Sequence, residues 1–132
     1  SGPMLDRIDI HVEVPRLKQN ELISKAPGEP SASIRARVKA SRIIQNRRFA
    51  GTKIFCNAHM TPRHMKQHCK LNQDAENMLK QAIEQLHLSA RAYDRILKLS
   101  RTIADLACSD DIRVEHIAEA VQYRSLDRKY WN

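Results

Sequence analysis

The sequence predicts a mainly α-helical protein: a small helical bundle preceded by one orphan β-strand and a helical insertion. Three observations carry this reading. Apolar residues recur at three- and four-residue spacing through most of the second half of the chain, the period of a helix with one buried stripe. Only three glycines and 5% aromatic residues are present, a composition suited to helices rather than to turn-rich sheets. A single stretch alternates with period two, and no second one pairs with it.

That stretch comes first. Ser1-Gly2-Pro3 reads as a loop or a cloning remnant. Ile8, Ile10, Val12 and Val14 then alternate with Asp9, His11 and Glu13 until Pro15 ends the pattern, as a half-buried strand would. One strand cannot satisfy its own backbone donors and acceptors. The remainder of its sheet is therefore expected in a larger protein. A short helix is expected around Glu21-Leu22-Ile23, followed by the turn-rich linker Ala26 to Ser33.

A second helical segment runs from Ser31 or Ser33 to Phe49. Arg35, Lys39, Arg42 and Asn46 share one side, and Ala36, Ala40 and Ile43 form an interrupted apolar patch, with Ile34 and Val38 elsewhere. This describes a peripheral helix with a cationic face. Such a face is either simply solvated or a contact surface for nucleic acid or an acidic partner. Ala50 to Thr61 is connecting chain. Thr61-Pro62 supplies an N-cap and a first-turn proline for a short helix to about Cys69. The next helix starts at Asn72 or Gln73 and runs to about His87, with Ala75, Met78, Leu79, Ala82, Ile83 and Leu86 inward.

The principal helix lies in LSARAYDRILKLSRTIADLA, with Ser89 as N-cap. Ala92, Ile96, Leu99, Ile103 and Leu106 form its apolar stripe, flanked by Tyr93, Leu97 and Ala104. Asp94 with Lys98, and Arg101 with Asp105, are spaced as exposed i,i+4 pairs worth about 0.2–0.5 kcal/mol each. Arg91 occupies the first turn, where the helix dipole disfavours a cation. It is either a plain surface arginine or one that meets an anion brought from elsewhere. After a turn at Ser109-Asp110-Asp111, the last helix spans about Val114 to Tyr123 with Val114, Ile117, Ala118 and Val121 apolar, and the tail RSLDRKYWN is expected to be at best partly ordered.

Composition narrows the function classes. The net charge of +8 favours acidic partners, among them nucleic acid, phosphates and anionic protein surfaces. No apolar run is long enough for a membrane span and no secretory leader opens the chain, so no membrane partner is expected. Cys56, Cys69 and Cys108 form no disulfide framework, which makes a reducing cytoplasm the default. Gly2, Gly28 and Gly51 stand apart, with no following lysine and hydroxyl to cradle a phosphate. Unaided ATP hydrolysis is thereby excluded. Cys56, His59, His64, His68 and Cys69 invite a zinc reading, but they lack the paired short knuckles of a structural finger, so no metal is expected. No local signature supports a cysteine or serine nucleophile.

SGPMLDRIDIHVEVP, LSARAYDRILKLSRTIADLA and IAEAVQYRSLDR together resemble the C-terminal part of Mg-chelatase-like AAA+ proteins of the bacterial competence (ComM) type. The resemblance covers nearly the whole chain. It implies that residues 1–15 are the last strand of an AAA+ core, residues 16–59 a linker and pre-sensor helical insertion, residues 60–126 the helical lid and residues 127–132 a tail. Arg7, in MLDRID, matches the arginine finger that reaches a neighbouring subunit's nucleotide. Arg91, in SARAYDR, matches the sensor-2 arginine of the lid. Asp6 and Asp9 flank Arg7, either orienting it or serving as a turn residue and a solvent-facing strand residue. The resemblance further implies ATP and Mg2+ as cofactors of the full-length protein and none for this chain alone. The implied partners are the AAA+ core, a homo-oligomeric, hexamer-like ring and DNA, in a helicase or remodelling role. The competing reading is a stand-alone basic helical DNA-binding module using Arg35, Lys39 and Arg42.

Overall fold

The computed structural model describes residues 2–24 and 26–124. Among them are seven α-helices: α1 (Gly2–Asp6), α2 (Gln19–Ile23), α3 (Ser31–Arg48), α4 (Pro62–His68), α5 (Gln73–Leu86), α6 (Ala90–Leu106) and α7 (Val114–Gln122), with a short 3-10 turn at Asn57–His59. The mainly helical class is as the periodicity predicts. Three starts use the caps written in the sequence. The Thr61 hydroxyl accepts from the His64 amide, Asn72 Oδ1 from the Ala75 amide at 2.8 Å, and Ser89 Oγ from the Ala92 amide at 3.1 Å. Helix α5 closes with His87 in the left-handed region and the Leu88 amide returning to the Ile83 carbonyl at 3.1 Å.

Helix α6 is the axle. It touches α7, α3 and the 3-10 turn, while α5 lies on α7. Its buried side chains Ile96, Leu97, Ile103 and Ala104 join Ala75 and Leu79 of α5 and Ile117 and Ala120 of α7. Phe49, Met60, Met65 and Cys69 close the core on the α4 side. A parallel bridge between Leu71 and Ile112 ties the entries to α5 and α7 together, a pairing no alternation announced.

The structure departs from the sequence reading in several places. Residues 7–18 form no strand; the chain is helical over Gly2–Asp6 and irregular afterwards. Ile8, Ile10, Val12 and Val14 are exposed, and the residue buried among them is His11. Alternation marks a side that can be covered, but pairing requires a neighbouring strand, and none lies beside it among the described residues. Helix α3 also turns the other way. Ala36, Ala40 and Ile43 face solvent, while Ser41 and Gln45 are buried, because the helix meets its neighbours through hydrogen bonds rather than apolar contact. Leu106 and Tyr93 lie at the exposed edge of the α6 stripe, and in α7 it is Ala120, not Ala118, that is buried. Arg124, at the start of the tail, is fully enclosed; the rest of the tail, including residues 127–132, lies outside the described residues. Among the described residues no helix is long and apolar enough to cross a membrane.

Candidate functional site

Arg91 stands in the first turn of α6, exposed, at one end of an open groove of about 330 Å3. Asp9, Ala58, Asp94, Arg95, Lys98 and Thr102 line the same groove. Arg7 follows α1, is exposed, and does not line it. Neither guanidinium makes a hydrogen bond or ion pair among the described residues. The segments that carry them are nevertheless joined. Ser89, the cap of α6, donates its hydroxyl to the Asp6 carboxylate at 2.8 Å, and Arg95 Nη1 meets Asp9 Oδ1 at 2.5 Å. Asp6 and Asp9 thus bind α6 rather than Arg7, and Asp9 is no free strand residue. The Asp6 carboxylate also sits where the α6 dipole favours an anion. Asp94 and Lys98 do not pair; Lys98 Nζ instead reaches the Ala58 carbonyl at 3.4 Å.

Behind the groove lies a buried polar network that helical periodicity did not disclose. Arg101 and Asp105, expected on the outer arc of α6, are 4% and 1% exposed. Asp105 accepts from Arg48 at both carboxylate oxygens, at 2.6 and 2.7 Å, and from Asn57 Nδ2 at 2.8 Å. Arg101 Nη2 lies 3.2 Å from the same carboxylate. Asn57 in turn accepts from Arg48 at 2.9 Å and donates to Thr102 at 3.0 Å, while its amide donates to Gln45 Oε1 at 3.0 Å. Arg101 also donates to the carbonyls of His68, Ser109 and Asp110, collecting the ends of α4 and α6. Three hydrogen bonds and one further ion-pair contact surround one carboxylate, the condition under which a buried ion pair is tolerated. The sequence shows only the i,i+4 spacing of Arg101 and Asp105, and nothing in that spacing says that α3 and the 3-10 turn would cover the pair.

The histidine- and cysteine-bearing stretch is a scaffold around Phe49. His64 and His68 stand edge-on to its ring, at 6.0 and 5.6 Å between centroids. Cys69 is buried against Met60, and burial pushes its thiol up to about 11. Cys56 Sγ lies 3.6 Å from His59 Nδ1. Among the described residues no three His, Cys, Asp or Glu side chains gather in a metal-holding arrangement. Burial first, then the charges of Arg48, His64 and Arg101, lower the His68 pKa below its ordinary 6.5. The unfolded chain therefore binds a proton that the folded chain resists, so stability is full above about pH 6.5 and declines as the pH falls through the lower folded value. Urea midpoints taken from pH 7.5 down to 5 should fall across this window, and His68→Gln should flatten that part of the profile. An unchanged slope in the variant would remove the assignment.

Helix α3 carries Arg35, Arg37, Lys39, Arg42, Arg47 and Arg48 and no acid. Arg35, Lys39 and Arg42 are exposed. Arg37 pairs with Glu29 ahead of the helix, and the hydrogen bond from Arg37 holds that carboxyl below the usual range.

Comparison with known proteins agrees with this architecture. The family model described as magnesium chelatase, subunit ChlI C-terminal, matches residues 28–124, from before α3 to the end of α7. The chain is 46% identical over 129 residues to Competence protein ComM of Haemophilus influenzae, across 97% of this chain and 25% of that protein. It is 42% identical over 130 residues to the uncharacterized protein YifB of Escherichia coli, again across 97% and 25%. An uncharacterized protein of Mycobacterium tuberculosis is 30% identical over 124 residues, across 94% and 24%. The chain spans about a quarter of the length of the curated relatives it matches. Since the matched region takes in α3 to α7 and the network that joins them, the chain belongs to the magnesium chelatase ChlI C-terminal family.

Proposed function

We propose that this chain is the lid-bearing C-terminal part of a larger AAA+ ATPase, with Arg7 an arginine finger and Arg91 a sensor-2 arginine at subunit interfaces. The observation that carries the reading is a pair of exposed guanidinium groups without hydrogen-bond or ion-pair partners among the described residues, on segments bonded to each other through Asp6 and Ser89. A guanidinium is permanently charged and offers a planar fork to phosphate oxygens. Arg7 and Arg91 would each neutralise phosphate charge, while ATP and Mg2+ are held chiefly by polypeptide upstream of this chain. The assembled protein is a cytoplasmic homo-oligomeric ring, hexameric on this reading, that remodels DNA. Its similarity to a competence protein and its basic charge support that role.

The test is direct. The full-length protein should hydrolyse ATP in the presence of Mg2+, and residues 1–132 alone should show no turnover. Hydrolysis by the isolated chain, or none by the full-length protein with or without DNA, would overturn the reading. A second reading, a stand-alone DNA-binding module, is favoured by the acid-free cationic helix α3. On that reading residues 1–132 bind duplex DNA with submicromolar affinity at physiological salt, and R35A/K39A/R42A lowers the salt slope by about three. Absence of binding by the isolated chain removes it.

A further inference from the structure

The amino-terminal segment around Arg7 is held by the far end of the chain. Arg124 is 1% exposed. Its Nη1 donates to the Ile8 carbonyl at 2.9 Å, and its Nη2 lies 3.4 and 3.3 Å from the carbonyls of Leu5 and Asp6. The Asp6 carboxylate lies 3.6 Å from the same nitrogen. His11 grips the same turn from its other side. Its Nε2 is 3.0 Å from the Leu5 carbonyl and 3.1 Å from the Ile8 carbonyl, so this nitrogen carries the proton and donates. The His11 amide donates to the Tyr123 carbonyl at 2.7 Å, beside Arg124 in sequence. Two cationic or donor side chains therefore collect the carbonyls on both sides of Arg7.

The Asp6 carbonyl ends a short helix, where carbonyls lack intrahelical partners. The Leu5 carbonyl already accepts from the Ile8 amide at 3.1 Å, and the Ile8 carbonyl lies just beyond the helix. Water could satisfy them equally well on an exposed segment. Enclosing an arginine to do it costs desolvation, and the return is a fixed path for the backbone at position 7. The Asp6–Ser89 and Asp9–Arg95 contacts add two further attachments to α6, but both lie at the surface and constrain less. Among the described residues, Arg124 alone reaches residues 5, 6 and 8 together.

We propose that Arg124, with His11, is a positioning residue for Arg7: the end of α7 clamps the turn that carries the finger, so the lid sets where that guanidinium points. This rests on the reading of Arg7 as an ATP-facing arginine. Arg124 acts through Arg7 and touches no substrate.

The experiment uses the full-length protein with Arg124→Gln, and with Arg124→Lys as a milder variant should the first fail to fold. Hydrogen exchange of the amides of residues 4–11 should speed up at least tenfold in Arg124→Gln, while those of α5 and the middle of α6 keep their protection. ATP turnover should fall at least fivefold in kcat, with KM for ATP changed less than twofold. Arg7→Ala combined with Arg124→Gln should be no slower than Arg7→Ala alone, because both changes remove the same contribution. Unchanged exchange at residues 4–11 overturns the clamp. Multiplied losses in the double variant overturn the positioning role, since they would mean that Arg124 acts independently of Arg7. If Arg7→Ala alone leaves turnover intact, the finger reading fails, and the exchange result still decides the clamp by itself. For Arg124→Lys, which keeps the charge but cannot reach three carbonyls at once, the same pattern is expected at smaller amplitude, with a twofold or greater rise in exchange at residues 4–11; no rise overturns the clamp.

Discussion

Replacing Asp105 with alanine is expected to destabilise this domain by about 3–5 kcal/mol, the cost of leaving buried charge uncompensated. The carboxylate is wholly enclosed, and the side chains of Arg48 and Arg101 around it are 11% and 5% exposed. Removing the anion takes away the counter-charge of both guanidinium groups and one acceptor of Asn57, while Arg101 keeps its carbonyl acceptors and Asn57 its bond to Thr102. An exposed Arg101–Asp105 pair at i,i+4 spacing, as the sequence suggests, would instead cost about 0.2–0.5 kcal/mol. The two readings differ by roughly an order of magnitude, which urea or thermal unfolding resolves easily. A domain of this size should lose more than about 10 °C in Tm. Asp105→Asn keeps the shape and one acceptor and should fall between alanine and the parent. A loss below 1 kcal/mol for Asp105→Ala would show that the network contributes little and that apolar contact alone joins α3 to α6.

The contrast between these two numbers also shows which features of the fold were legible in the sequence. Helix positions were, because caps such as Asn72 and Ser89 and the spacing of Ala75, Leu79, Ile96 and Ile103 are local signals. What covers a helix is not local. Helix α3 displays its apolar residues to solvent and buries Ser41 and Gln45, with Gln45 accepting from the Asn57 amide and Arg48 donating to Asp105, partners that lie on other elements. The run from Ile8 to Val14 has the alternation of a strand, yet pairing depends on chain that must lie beside it. Arg124 was unreadable for the same reason, since its partners are carbonyls more than a hundred residues away. At the candidate site, the exposure of Arg7 and Arg91 followed from their positions, whereas the link between their segments did not. That link depends on Asp6 meeting Ser89, two residues 83 positions apart.

Arg7→Ala and Arg91→Ala, each introduced into the full-length protein, are expected to reduce ATP turnover at least tenfold, and arginine fingers elsewhere contribute roughly 10³–10⁵. Structure makes this a clean measurement. Neither side chain has a hydrogen bond or ion pair among the described residues, so truncating it disturbs no network. Surface substitutions of that kind change stability by about 0.5 kcal/mol or less. Unfolding midpoints should therefore match the parent while kcat falls, which separates chemistry from folding. Lysine should rescue poorly at either position, because an ammonium is a point charge and cannot present two parallel donors to a phosphate. Near-normal turnover in both alanine variants would leave their exposure as plain solvation. Function would then have to be sought on the cationic face of α3, where Arg35, Lys39 and Arg42 present charge without any acid on the same helix.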